Sequence, residues 1–226
     1  SPEQKAEIEA VVKEYLLKNP EIIQETLIEL ERRQRDAETA ARTNALKELG
    51  PQLAASKSGV VGNPNGDVTV VEFFDYNCGF CKKGLADLQK LIKEDSKLRV
   101  VLKDLPILSP ASREAAAIAL AVKAQVKPEA FWDFHVKLMS KSGQIGKAQA
   151  LEVAREVGAD LARIEKDAAA PEIAEAFDES RKIADGLGLS GTPSYVIADD
   201  VVIGAVGYDQ LKMRIVNVRK CGKTQC

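Results

Sequence analysis

Apolar residues recur at helical spacing near the start of the chain. Ile8, Val11, Val12, Tyr15 and Leu16 fall on one face of a 3.6-residue helix. Asn19-Pro20 then interrupts the pattern. Asn19 is a favoured N-cap and Pro20 suits the first position of a new helix. That second helix carries Ile22, Ile23, Leu27 and Leu30 on one side. Beyond Leu30 the stripe ends. Glu31-Arg32-Arg33-Gln34-Arg35-Asp36-Ala37-Glu38 opens a charged stretch that lasts to Leu49, and Gly50-Pro51 is expected to stop it. A helix of about 14 residues is marginal in water alone, so the stripes need a partner. The prediction is an N-terminal α-helical oligomerisation segment over residues 1–50. Its polar part, Glu31 to Leu49, reads as a solvated helix or a semi-flexible arm. The other reading folds these helices back on their own domain.

From Gly59 onward the pattern alternates between strand and helix. Residues 68–75 are a nearly unbroken apolar run and predict a buried strand. A helix is predicted over 78–93 and a second strand over 98–103, stopped near Pro106. Helical patterns then follow over 111–125, 128–140, 147–157 and 171–187. Phe131, Trp132, Phe134, Leu138 and Met139 supply the apolar side of the second of these. Gly191-Thr192-Pro193 introduces a strand over 194–198. Asp199-Asp200 marks a tight turn, and 201–206 forms the hairpin partner. A last helix is expected over 208–220. The order is βαβ, a helical insertion at about 107–187, then ββα. This makes residues 51–226 an α/β domain.

Composition narrows the function. An apolar content of 45% in 226 residues is enough for a core. A net charge of −2, without a basic patch interleaved with aromatics, gives no reason to expect nucleic acid. No apolar stretch approaches the ~18 residues of a membrane span. Ser1-Pro2 is not a natural start, and the chain reads as mature or trimmed, consistent with removal of a leader. An even number of cysteines, four, suits an oxidising compartment.

Two of those cysteines carry the chemistry. Cys78-Gly79-Phe80-Cys81 lies between the apolar run ending Glu72-Phe73-Phe74 and a helix-like stretch starting Lys82-Lys83. A Cys-x-x-Cys between strand and helix reads as a redox dithiol. At a helix N-terminus, unpaired N–H groups and the helix dipole stabilise a thiolate. Cys78 is therefore expected to be an acidic nucleophile, helped by Lys82 and Lys83. Cys81, about one turn further in, is expected to be shielded and to resolve a mixed disulfide. Two other uses share the spacing. A zinc site needs a second ligand pair. His135 is the only histidine, and Cys221 and Cys226 are widely spaced for a zinc knuckle. An inert structural disulfide is the third reading. His135 has no motif around it and is expected to be a helix-surface or packing residue.

The run Val71-Glu72-Phe73-Phe74-Asp75-Tyr76-Asn77-Cys78-Gly79-Phe80-Cys81, with Gly191-Thr192-Pro193-Ser194-Tyr195 downstream, resembles the thioredoxin-fold oxidoreductases of the bacterial DsbA family. The resemblance covers roughly residues 59–220, including a helical insertion of matching length. With its N-terminal extension the chain is most similar to the branch of suppressor-of-copper-sensitivity protein C (ScsC). The resemblance implies a thioredoxin fold with a helical insertion and a trimerisation stalk, trimer favoured over dimer. It implies a periplasmic disulfide isomerase or reductase without a cofactor. Misfolded disulfide-containing proteins would be the substrates, and a membrane thiol reductase would keep the dithiol reduced.

The same resemblance assigns residues. Cys78 matches the exposed nucleophile and Cys81 the resolving cysteine, with Gly79 and Phe80 as the active-site loop. Pro193 matches a cis-proline that aims the Thr192 backbone at a substrate peptide. Glu72 and Lys103 match a charged pair beneath the dithiol, either a proton relay for Cys81 or a structural ion pair. Gly79-Phe80 stands where the strongest oxidases of the family carry Pro-His, and Thr192 stands in place of valine. Both departures favour isomerase or reductase chemistry over pure oxidation. Cys221 and Cys226 are expected to form a structural disulfide, although so short a loop gains little from chain entropy; an intermolecular or secondary redox role is the alternative. Two other functions remain in play. One is a monomeric dithiol oxidase. The other is a copper-tolerance protein that holds Cu(I) between reduced Cys78 and Cys81, since thiolates favour that ion.

Overall fold

The structure, a computed structural model, describes residues 1–54 and 59–226. The chain divides into two compact units, Ser1–Asn44 and Ala45–Cys226.

In the first unit, α1 (Pro2–Lys18) opens on a capping box. The Ser1 hydroxyl accepts from the Gln4 N–H, and the Gln4 side chain accepts from the Ser1 amine. Asn19 closes this helix rather than opening the next. Its backbone N–H and its side-chain amide both donate to the Tyr15 carbonyl, at 2.9 and 2.8 Å. The amide thus satisfies an orphan carbonyl at a C-terminus, the converse of the expected N-cap. Helix α2 (Glu21–Ala54) follows. It runs through Gly50-Pro51 instead of stopping there. Proline costs a helix one backbone hydrogen bond. Burial offsets that loss, because Ala45, Leu46, Leu49 and Leu53 of this helix pack into the core of the second unit. The apolar side chains of α1 have no such cover, and none of its residues is buried.

The second unit is built on a five-stranded sheet in the order β1-β3-β2-β4-β5. The strands are β1 (Gly59–Gly62), β2 (Val68–Phe74), β3 (Leu98–Asp104), β4 (Ser194–Ile197) and β5 (Asp200–Ile203). β2 and β3 are parallel, and every other pairing is antiparallel. The parallel pair is joined by α3 (Gly79–Glu94). Both strands are buried except at their second residue, as apolar runs at the centre of a covered sheet should be. Strand β1 was not foreseen. It is four residues long with glycine at each end, and Gly59 lies so close to the Phe131 ring that a Cβ would stand 2.0 Å from it. The β4–β5 turn is Ala198-Asp199, since Ile197 pairs with Asp200. It therefore falls one residue earlier than expected. Ala198 takes a φ of 47° there.

The helical insertion lies between β3 and β4. It comprises α4 (Pro110–Lys123), α5 (Pro128–Ser140), α6 (Lys147–Glu156), α7 (Leu161–Asp167) and α8 (Pro171–Gly186), and only the short α7 has no counterpart in the expected pattern. Buried Ala115, Ala119 and Ala121 let neighbouring helices approach α4 closely. The chain ends with α9 (Tyr208–Cys221).

The sheet separates two cores. On one face Val70, Phe74, Val100, Leu102 and Tyr195 pack with Leu85 and Leu88 of α3, Leu211 and Ile215 of α9, and the insertion. On the other, Val71, Phe73, Val101 and Val196 pack with Ile183 and Ala184 of α8 and with Leu53. This two-faced division decides which of the candidate residues can meet.

Candidate active site

The end of β2 and the start of α3 build the site. Asp75 is buried, and its carboxylate accepts from the N–H groups of Asn77 and Leu108 at 2.8 and 3.1 Å. Its backbone carbonyl accepts from the Cys78 N–H at 3.0 Å. Asn77 ties this loop to the insertion. Its amide donates to the Ile145 carbonyl and to Ser112 Oγ, and its Oδ1 accepts from the Ile145 N–H at 2.7 Å. Neither Asp75 nor Asn77 was singled out from sequence, because the partners lie far away in the chain.

Cys78 is the N-cap of α3, and its Sγ accepts from the Cys81 N–H at 3.3 Å. The Thr192–Pro193 peptide bond is cis. It brings the Thr192 carbonyl to 3.1 Å from Cys78 Sγ, which donates to it as a thiol. The Pro193 carbonyl accepts from the Gly204 N–H, and Ser194 Oγ donates to the Gly191 carbonyl, so both sides of this loop are pinned. The loop covers the dithiol: Cys78 is 6% exposed and Cys81 1%. Cys78 is thus the more open of the two but not an exposed side chain. Phe80 is the exposed member of the motif, at 62%.

The two thiols differ in acidity. Cys78 is lowered to about 5. A hydrogen bond from the Cys81 thiol contributes most, followed among the favourable contacts by the Thr192 side chain and the N–H groups of Cys81 and Phe80. At neutral pH it is a thiolate. The expected help from two lysines is absent. Lys82 donates to the Lys141 carbonyl at 2.6 Å, and the Lys83 ammonium sits over the Phe80 ring. Burial pushes Cys81 far up, and donation to Cys78 adds to this. One thiol ionises readily, and the other holds its proton.

Glu72 and Lys103 do not form a pair. In the parallel register Glu72 lies beside Leu102, and Lys103 beside Phe73. Side chains alternate between faces, so the two point to opposite sides of the sheet. Glu72 is on the α3 face, under the dithiol. Lys103, 1% exposed, reaches Glu179 of α8 at 2.9 Å on the other face. The structure corrects the pairing inferred from the family: only Glu72 lies on the face of the dithiol. Burial raises the Glu72 carboxyl to about 8, against a hydrogen bond from Tyr195 that favours its charged form. His135 is a packing residue. It is buried, 3.2 Å from Tyr76 Oη, stacked on Trp132, and pushed down to about 3 by burial.

Cys221 and Cys226 are bonded to each other. Between them, Thr224 donates through its N–H and its hydroxyl to Asp199, which fastens the chain end to the β4–β5 turn. They cannot supply the second ligand pair that a zinc site at Cys78 and Cys81 needs. Among the described residues no group of three or more His, Cys, Asp or Glu side chains could hold a metal ion.

Known proteins share this arrangement. The model of the family described as a DSBA-like thioredoxin domain matches residues 69–216. That of the copper resistance protein ScsC N-terminal domain matches residues 4–37. A thioredoxin-like oxidoreductase from Silicibacter pomeroyi is 40% identical, with a TM-score of 0.70, over 75% of this chain and 96% of that one. A linker-deletion mutant of Proteus mirabilis ScsC is 27% identical, with a TM-score of 0.73, over 98% of this chain and 97% of that one. A Na(+)/H(+) antiporter, NhaA 1 of Salinispora arenicola, is 30% identical over 138 residues. These are 61% of this chain but span only 21% of that protein's length. In the present chain no helix among the described residues is long and apolar enough to cross a membrane. The match over residues 69–216 contains the dithiol, the insertion and the cis-proline loop, and the chain therefore belongs to the DsbA-like thioredoxin-domain family, as a thiol-disulfide oxidoreductase of the DsbA and ScsC type.

Proposed function

We propose that this oxidoreductase acts mainly as a protein disulfide isomerase and reductase in the periplasm, assembled as a homotrimer through residues 1–50. The observation that carries the reading is the uncovered apolar surface of the N-terminal helices. Ile8, Val11, Val12 and Tyr15 are each more than half exposed, in a segment that matches the ScsC N-terminal domain. Assembly would set several Cys78 sites around one space, where one holds a substrate cysteine while another engages a second.

The chemistry follows from the two thiols. The Cys78 thiolate attacks a wrong disulfide, forming a Cys78–substrate bond and releasing one substrate thiolate. That thiolate, or another in the substrate, then displaces Cys78 and leaves a new pairing. Where no substrate thiol arrives, Cys81 gives its proton to Glu72 and attacks Cys78 Sγ. The substrate leaves reduced and Cys78–Cys81 is oxidised. A membrane thiol reductase must then return the dithiol to its reduced form. Refolding of scrambled ribonuclease, followed by recovered ribonuclease activity, tests this. The wild-type chain should restore activity in catalytic amounts, and recovery no faster than with glutathione buffer alone would refute it.

A second reading has one observation in its favour, the copper-resistance description of the matching N-terminal family. In it, reduced Cys78 and Cys81 hold Cu(I). Binding would have to release the Cys81 proton, since a metal ligand must be deprotonated. Titration of the reduced protein with Cu(I) against a competing chelator decides the matter.

A further inference from the structure

Tyr195 lies two residues beyond the cis-proline, and three observations place its hydroxyl. In the antiparallel register of β2 and β4, Tyr195 is directly opposite Glu72, so the two side chains share the α3 face. Both are almost wholly buried. The hydroxyl also abuts α3 at Gly84, where a Cβ would stand 2.8 Å from Tyr195 Oη. Gly84 is three residues after Cys81, on the same buried side of that helix. The hydroxyl therefore lies where the sheet carrying Glu72 meets the helix carrying Cys81. A buried Tyr hydroxyl needs a partner, and the Glu72 carboxyl directly opposite on the same face is the polar group the register offers it.

We propose that Tyr195 is a positioning residue for the proton that Cys81 gives up and takes back: its hydroxyl hydrogen-bonds the Glu72 carboxyl and holds it toward α3, where it can exchange that proton. The proposal rests on the reading of Glu72 as proton acceptor and adds the residue that orients it. In the resolving step the Cys81 proton passes to the Glu72 carboxylate. The Cys81–Cys78 bond forms, the Cys78–substrate bond breaks, and the substrate leaves as a thiolate that solvent protonates. Reduction of the dithiol runs the same transfer backwards.

The charged and titratable groups around Glu72 are few. Cys78 and Cys81 face it from α3, and Tyr195 from β4. Asp87 of α3 acts on Tyr195, and Tyr76 lies along the same segment. All are acids, and the Tyr195 hydrogen bond is what offsets the burial that disfavours the carboxylate. Loss of that bond therefore moves the carboxyl upward.

The test is the pH dependence of Cys81 attack on a Cys78–glutathione mixed disulfide, followed as glutathione release in single turnover. A 13C titration of the Glu72 carboxyl runs beside it. E72Q should slow release about a hundredfold and abolish the inflection. Y195F should move both the inflection and the carboxyl titration up by about one pH unit, the loss expected of a hydrogen bond to a charged group. The double variant should be no slower than E72Q alone. G84A, which crowds the hydroxyl without removing it, should shift the titration in the same direction by less. A Y195F inflection that stays in place while E72Q removes it would overturn the role of Tyr195 and leave Glu72 standing. An E72Q profile like that of the unaltered protein would overturn the relay itself. If Y195F does not fold, an unshifted G84A titration overturns the proposal.

Discussion

The two units solve the same problem in opposite ways. In Ala45–Cys226 the apolar side chains are sealed, and the sheet interior is tight enough to enclose Glu72, Lys103 and Asp104 as well. In Ser1–Asn44 the apolar residues of α1 lie open to solvent, and what holds the helices is local. Glu29 with Arg32 and Arg33, Arg32 with Asp36, and Glu14 with Lys18 are ion pairs one turn apart. Such exposed pairs stabilise a helix far less than the burial of one large apolar side chain does. The body can therefore be stable alone, whereas the N-terminal helices carry an apolar stripe that only a further surface can cover.

The largest expected effect belongs to the body alone. Cys78→Ala should reduce thiol exchange by at least about a thousandfold, as removal of an attacking nucleophile does. Cys81→Ala should instead accumulate mixed disulfides, read as mass adducts on Cys78. Adducts on the Cys78 variant rather than the Cys81 variant would reverse the two roles.

A second change acts only on the N-terminal unit. Ile8→Glu with Val12→Glu puts charges into the open stripe of α1. It should lower the sedimentation mass to that of one chain at micromolar concentration. Glutathione exchange at Cys78 should stay within about twofold, since the dithiol and every residue that positions it belong to the other unit. An equal loss of exchange in the monomeric variant would show that the two units are not separable in function.

The third concerns pH and the body's buried charges. Burial raises Glu72 to about 8 and Asp104 to about 7. Over that range the folded chain holds protons that the unfolded chain has released. The stability these groups contribute is present below the ordinary carboxylate range and is lost as pH rises through 7 to 8. His135 acts in the other direction. It is neutral when folded, so its contribution is present above the unfolded imidazole value of 6.5 and is lost as pH falls toward 3. The lowered Cys78 thiol works against the two carboxyls, its contribution growing as pH rises above about 5. The Glu72 part is therefore read as the difference in urea midpoint between the unaltered chain and Glu72→Gln. Glu72→Gln should flatten the alkaline side only. A parallel shift of the whole curve would mean that Glu72 does not titrate in that window. The smallest effect concerns Phe80, whose exposed ring carries no charge. Phe80→His should stabilise the thiolate further and make the dithiol more oxidising, read as a shift toward reduced protein in a glutathione redox titration.

The dithiol was legible from sequence because its geometry is local: a strand, a four-residue motif and a helix fix Cys78 as N-cap and bury Cys81 one turn on. The insertion was legible from its periodicity. What could not be read depended on register or on distant partners. Glu72 and Lys103 each sit in an apolar strand, and nothing in the chain says that Glu72 pairs with Leu102. One residue of register decides whether the two meet, and it sets them on opposite faces. Tyr195 falls opposite Glu72 for the same reason. Gly50-Pro51 is a local stop signal, overridden because Leu49 and Leu53 flank it and are drawn into the core. The hydrogen bonds that Asn77 makes to Ser112 and Ile145 reach into the insertion, beyond any local pattern.

On the proposed function, the body performs exchange and the N-terminal helices turn exchange into isomerisation. A chain beginning at Ala45 keeps Leu46, Leu49 and Leu53, which the core requires. Light scattering and scrambled-ribonuclease refolding should be measured on that chain and on the full one, side by side. The full chain should be an oligomer and an isomerase. The shortened chain should be a monomer that still exchanges with glutathione but restores no ribonuclease activity. A monomeric full chain, or a shortened chain with full isomerase activity, would contradict the account.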